Sequence, residues 1–280
     1  MGALDPQNRR NLALRVVSAV ALLPLAVWLT FVGGLPFALL AGVAAAVAAA
    51  ELVLMFGALG AGEVFGLLVA GALPFMAAYG EGGEILPRWS GLVLAGATVV
   101  LLTVFLFRRE PLERIPRAIS IVVLSWLYCG ILLASLVSVR IRFGVPWVIM
   151  AFVVTWANDT AAYFTGHAIG RHRLFERISP KKTWEGFAGG VAGSVAGALG
   201  VRWLLLPETL GVGAAVVVGL GASVLGPLGD LAESMVKRAA GVKDSGRTIP
   251  GHGGLLDRID ALLFVAPWIY VCASYLVRSP

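Results

Sequence analysis

Residues 230–260 read DLAESMVKRAAGVKDSGRTIPGHGGLLDRID, a mixture of carboxylates, cations and glycines set between long apolar runs. Asp230 closes one apolar run and Asp257 opens the next, so neighbouring helices would bring the two carboxylates together at a membrane edge. Such a pair, in oxygen-rich surroundings, suits Mg²⁺, which takes one or two protein carboxylates and completes its shell with water and phosphate. Asp260 follows Asp257 by three residues, on the same helical face. The plainer alternative stays open: these acids cap helices, or pair with Lys237 and Arg258.

The cations sharpen the choice. Lys237, Arg238, Lys243, Arg247, His252 and Arg258 crowd one segment. A triphosphate needs several donors, with Arg supplying a rigid fork and Lys a point charge. A positive anchor for lipid head groups would also use such residues, but needs neither the interspersed Asp nor the glycine run. In PGHGG, Gly253 and Gly254 would let backbone N–H groups approach phosphate. No Walker A sequence occurs. A second charged segment, HAIGRHRLFERISPKKTWEG, holds Lys181 and Lys182. Ser179 and Pro180 read there as N-cap and first residue of a helix, whose N-terminus favours anions. Upstream, Asn158 and Asp159 interrupt an apolar run, with Tyr163 one turn on. Polar groups at such depth usually line a cavity. Glu51 sits near a helix end and is expected to reach the interface in a structural role.

These residues must be positioned by membrane helices. The 280-residue chain is 59% hydrophobic and 14% charged, with mean hydropathy +0.88, too apolar for a soluble domain. Apolar runs of about 18 residues or more recur. They predict an all-α, polytopic integral membrane protein of about nine transmembrane helices, at residues 14–32, 36–56, 64–79, 90–107, 117–139, 146–166, 185–206, 211–229 and 259–277. The third is the shortest. Residues 1–145 form an N-terminal membrane region of about five spans. Residues 146–280 form a C-terminal catalytic region with charged loops at 167–184 and 230–258, the two regions making one continuous unit. Most Lys and Arg fall on one set of alternating loops, which places the N-terminus and both charged loops in the cytoplasm and the C-terminus outside. Arg140 and Arg142 run against that rule. The net charge of +6 fits topology and anionic lipid rather than nucleic acid. Cys129 and Cys272 fall within predicted spans and read as buried thiols. Gly186–Gly190 and Gly189–Gly193 have G-x-x-x-G spacing, a weak indication of helix dimerisation.

The pattern Ser234-Met-Val-Lys237-Arg238, Lys243-Asp244, then Pro250-Gly-His252-Gly253-Gly254-Leu-Leu-Asp257-Arg258-Ile-Asp260 resembles the signature of the phosphatidate cytidylyltransferases, or CDP-diacylglycerol synthases. Ser179-Pro-Lys-Lys-Thr-Trp-Glu-Gly186 and Asn158-Asp159 with Tyr163 are similar to that family too. The resemblance covers residues 155–270; the N-terminal half matches only as a polytopic membrane region.

The resemblance implies transfer of a cytidylyl group from CTP to phosphatidate, giving CDP-diacylglycerol and pyrophosphate for phospholipid biosynthesis. It also implies Mg²⁺, alone or with a second metal ion, and a homodimer in the bacterial inner membrane. Carried over, it puts Asp230 and Asp257 on the metal, with Lys237, Lys243 and His252 completing the reacting centre. Substrate contacts are expected from Lys181, Lys182, Asn158, Asp159, Ser234, Arg238, Asp244, Arg247, Gly253, Gly254, Arg258 and Asp260. A CTP-dependent lipid kinase would use similar parts, but attack a different phosphorus. A transporter would instead show paired repeats and helices broken near the midplane.

Overall fold

The computed structural model describes residue 20 and residues 23–80, 83–251 and 253–277. Among these residues ten α-helices follow in chain order: α1 Leu23–Val32, α2 Gly34–Leu54, α3 Ala61–Ala78, α4 Ser90–Leu106, α5 Ile115–Ser125, α6 Leu132–Phe143, α7 Val145–Ile169, α8 Trp184–Leu205, α9 Val212–Ala239 and α10 Leu256–Leu276. A six-residue π segment, Trp126–Ile131, joins α5 to α6 without a break. Two short strands, β1 Arg173–Phe175 and β2 Ser179–Thr183, pair antiparallel between α7 and α8. Most helices are apolar all round, as lipid-facing segments must be when every backbone group has to be satisfied internally.

Among the described residues, six helical segments are long and apolar enough to cross a membrane: α2, α3, the continuous Leu112–Phe143, α8, α9 and α10. The third predicted span, the shortest from sequence, is among them. α1 and α4 are apolar but shorter, and α7 carries Asn158 and Asp159 in its middle.

Small residues set the packing. A Cβ on Gly42 would stand 2.6 Å from the Gly71 carbonyl oxygen, so α2 and α3 meet backbone to backbone. Along α8, a Cβ on Gly186 would stand 2.9 Å from the Ala162 carbonyl and one on Gly193 2.5 Å from that of Ala157. The G-x-x-x-G glycines of α8 are therefore taken up by α7 within the chain and are not free for a second copy. Cys129 and Cys272 are buried free thiols.

Three expectations change, two about element boundaries and one about burial. Residues 230–239 are helical, so Asp230 lies more than two turns before the end of α9, and the charged loop shrinks to residues 240–255. The stretch LAESMVKRA loses hydropathy but not helix propensity, and its Glu233–Lys237 pair has favourable i, i+4 spacing. Ser179 and Pro180 do not start a helix; they lie in β2, on a two-stranded edge where proline's missing N–H leaves no ladder bond unmade. The helix begins at Trp184, capped by Thr183, whose Oγ1 accepts from the Gly186 N–H at 3.1 Å. Glu51 is 4% exposed and faces the protein interior rather than the interface.

Arg140 and Arg142 have structural partners. Arg140 donates to the Thr30 and Phe31 carbonyls at 2.6 and 2.9 Å, the open C-terminal end of α1. Arg142 donates to the Tyr270 hydroxyl at 3.1 Å. A cation at a helix C-terminus satisfies carbonyls and the dipole together, a reason for charge on that side unrelated to topology.

Candidate active site

A cavity of about 760 Å³ opens between α7, the β-hairpin, α8 and α9. α7 contributes Asn158, Asp159, Tyr163 and His167; the hairpin contributes Arg173, Ser179, Lys181 and Lys182; Phe187 comes from α8, and Pro227 and Asp230 from α9. The hairpin is held over the cavity by Glu185, which accepts the backbone N–H groups of Arg171 and His172 and pairs with the His172 ring at 2.6 Å.

Lys182 Nζ lies 2.6 Å from Asp230 Oδ2 and 3.4 Å from the Pro227 carbonyl. The Ser234 hydroxyl, one turn on, donates to Asp230 Oδ1 at 3.3 Å. Pro227 also shapes the wall. Having no N–H, it cannot bond to the Ser223 carbonyl one turn back, and Asn158 Nδ2 reaches that carbonyl at 3.5 Å. Asn158 is buried, and its Oδ1 has no partner among the described residues. Asp159 is exposed to the cavity. Gly229 allows α9 so close to α10 that a Cβ there would stand 2.5 Å from the Asp260 carbonyl oxygen. Asp230 and Asp260 are thus neighbours, and among the described residues Asp260 accepts from the Ala261 N–H, at 2.7 Å.

Asp257 belongs to a different environment. Its Oδ1 lies 2.6 Å from Lys237 Nζ, and its Oδ2 accepts from the Ser245 N–H at 3.0 Å, the Ser245 hydroxyl at 2.9 Å and the Gly254 N–H at 3.2 Å. Lys237 in turn lies 2.5 Å from Glu233 Oε2. Glu233 is fully buried, and its Oε1 has no partner among the described residues. The two carboxylates expected to share a metal are each matched to their own lysine: Asp230 to Lys182, Asp257 to Lys237.

Other expected site residues fall into two groups. Arg238 donates to the Val242 carbonyl at 3.0 Å and closes the turn after α9, while Lys243, Asp244, Arg247 and Arg258 are exposed around the 240–255 loop and the start of α10. His252 lies outside the described residues. Gly253 has φ +87°, which a side chain would resist. Gly254 does not clear a path to phosphate: its backbone packs against Ser245 and Glu51, and a Cβ would stand 2.7 Å from Glu51 Oε2.

Sequence reasoning missed Glu233, Ser245, His167 and Arg173. Glu233 alone had a local signal, its i, i+4 spacing to Lys237.

Among the described residues no group of three His, Cys, Asp or Glu side chains is assembled for a metal. Asp230 nonetheless fits a hard divalent cation. It borders the cavity, and among the described residues its oxygens are engaged by one lysine and one long serine hydrogen bond. Asp257, with four donors on its two oxygens, would have to exchange partners to join it.

Comparison with known proteins gives the arrangement a family. Residues 13–276 match the model of the Cytidylyltransferase family. The phosphatidate cytidylyltransferase of Brucella suis is 35% identical over 275 residues, covering 93% of each chain. That of Bacillus subtilis is 33% identical over 267 residues, 91% of this chain and 95% of its own. That of Staphylococcus epidermidis is 43% identical over 128 residues, 46% of this chain and 49% of its own. The match extends through the N-terminal half, where the motifs alone were silent, and this chain belongs to the cytidylyltransferase family, as a nucleotidyltransferase built of membrane helices.

Proposed function

We propose that the chain joins CTP and phosphatidate into CDP-diacylglycerol and pyrophosphate for phospholipid biosynthesis. What supports this most is the cavity itself: Lys181, Lys182 and Arg173 line it together with Asp159 and Asp230, around a space of about 760 Å³ bordered by membrane helices. Cations for two phosphates and carboxylates for a metal meet there, in a member of a cytidylyl-transferring family.

A phosphate oxygen of phosphatidate attacks the α-phosphorus of CTP. The new P–O bond forms as the bond to the β-phosphate breaks, and pyrophosphate leaves with the electron pair. The nucleophile is already anionic, so no strong general base is needed. The protein's task is to align two mutually repelling phosphates and to offset charge on the leaving group. Lys181, Lys182 and Arg173 hold phosphate groups at the cavity. Lys243, Arg247 and Arg258, with His252, supply further cationic contacts from the 240–258 side. Mg²⁺, held by Asp230 with Asp257 as the second carboxylate, would neutralise developing charge when bound. Asp159 and Asp260, flanking Asp230, add to the field that favours a cation there.

The membrane is the bacterial cytoplasmic membrane, with nine crossings, the N-terminus inside and the C-terminus outside. α1, α4 and α7 supply the crossings beyond the six segments of clear length and hydropathy. At about 1.5 Å per residue, α4 is roughly 25 Å long and α7 roughly 37 Å. The polar residues of α7 border the cavity rather than lipid. A homodimer belongs to the same proposal, its interface made by surfaces other than the α8 glycines.

The test is a detergent-solubilised assay with phosphatidate and CTP labelled separately at the α and γ phosphorus. Alpha label in lipid and gamma label in pyrophosphate is the expected result; gamma label in lipid would make the protein a lipid kinase. Chelation of Mg²⁺ should stop turnover, and its re-addition should restore it.

A further inference from the structure

Glu51, from the N-terminal half of the chain, hydrogen-bonds the signature loop through its side chain. It lies one turn from the end of α2. Its Oε1 accepts the Leu255 N–H at 2.9 Å; its Oε2 accepts the Leu256 N–H at 2.8 Å and lies 3.1 Å from the Ser245 hydroxyl. Leu255 and Leu256 are the N-cap and first residue of α10. A carboxylate at that end satisfies donors that no intrahelical carbonyl can reach, and complements the helix dipole. Here it is provided by a helix about two hundred residues earlier in the chain.

The contact continues inward. The Ser245 hydroxyl touches Asp257 Oδ2, Asp257 Oδ1 touches Lys237, and Lys237 touches Glu233. Glu51 also accounts for two loop glycines. A Cβ on Gly246 would stand 2.8 Å from Glu51 Oε1, and one on Gly254 2.7 Å from Glu51 Oε2. The loop thus closes around one buried carboxylate of α2.

We propose that Glu51 is a positioning residue for the transfer reaction, fixing the 245–256 loop and the start of α10 so that Asp257 and Lys237 are held in register. This rests on Asp257 and Lys237 belonging to the reacting centre. Glu51 itself touches no substrate; it acts through Ser245 and the first turn of α10.

Glu51→Gln is nearly isosteric but turns an amide NH₂ toward donors. In the full chain it should lower kcat about 10- to 100-fold, the size seen when supporting hydrogen bonds are removed. KM for phosphatidate should stay within about threefold, because Lys181 and Lys182 line the cavity and are not on the loop that Glu51 holds. Glu51→Asp, which keeps the charge, should recover part of the loss. Ser245→Ala should lower kcat alone as well, and the double variant should lose less than the sum of the two. Activity of Glu51→Gln within twofold of wild type would overturn the proposal; so would a loss of turnover that disappears when rates are expressed per folded protein. If Glu51→Gln fails to fold, Ser245→Ala decides: unchanged kcat overturns. Asp257→Asn, assayed in parallel, separates the levels. Its full activity would remove Asp257 from the reacting centre and the proposal with it. An inactive Asp257→Asn beside a fully active Glu51→Gln would sink the Glu51 role alone.

Discussion

Two acidic centres, one around Asp230 on α9 and one around Asp257 at the start of α10, differ in kind. Around Asp230 the structure is open: a cavity, one lysine, one long serine contact and Asp159 facing the same space. Around Asp257 it is closed: four donors on two oxygens, a buried lysine, and glutamates from α9 and α2 behind it. A carboxylate with spare lone pairs beside a cavity can change partners during a reaction. One saturated by backbone N–H groups and a buried ammonium holds a loop in place. The same residue type, in one signature, therefore divides into a carboxylate open to a cavity and one tied into a loop, a division only the hydrogen-bond partners reveal.

The largest expected effect breaks this contrast at both ends. Asp230→Ala should lower turnover by about 10³-fold, as loss of a principal charge-stabilising group does, with little change in thermal unfolding. Asp257→Ala should also abolish turnover, but in addition destabilise the fold by about 3–5 kcal/mol, since Lys237 keeps its charge in a buried site with one partner fewer. Next comes Lys182→Met. It removes the cation beside Asp230 and should raise KM for the phosphate substrates about tenfold in steady-state assays; unchanged KM would place phosphate binding elsewhere. Gly254→Ala forces a Cβ onto Glu51 and Ser245 and should cost about 1–3 kcal/mol by overpacking, visible as a lower unfolding temperature. The smallest effect is Arg140→Ala, on the opposite face: about 1 kcal/mol of stability from lost carbonyl contacts, with kcat unchanged.

How far the chain could be read in advance follows the range of the interactions. Apolar runs are local, so the helices fall close to where hydropathy puts them. Where hydropathy fades but helix propensity persists, as over residues 230–239, the boundary was placed too early, and Asp230 moved from a helix end to a helix wall. Ser179-Pro180 fits a helix start and an edge strand equally well by its local chemistry. The choice came from pairing with residues 173–175 and from Glu185 tying the hairpin to α8. Candidate residues were legible by type, and Asn158, Asp159, Lys181, Lys182 and Asp230 do converge on one cavity. Which carboxylate meets which lysine was not legible, because Lys182–Asp230 and Glu51–Leu256 join segments about 50 and 200 residues apart and leave no periodic trace.

The most direct test measures kcat and unfolding temperature side by side for Asp230→Asn and Asp257→Asn in the same detergent. An inactive but normally stable Asp230→Asn, beside an inactive and clearly less stable Asp257→Asn, is the predicted outcome. Equal loss of stability in both, or near-normal turnover by Asp230→Asn, would contradict the division between an open carboxylate and one that also frames the loop.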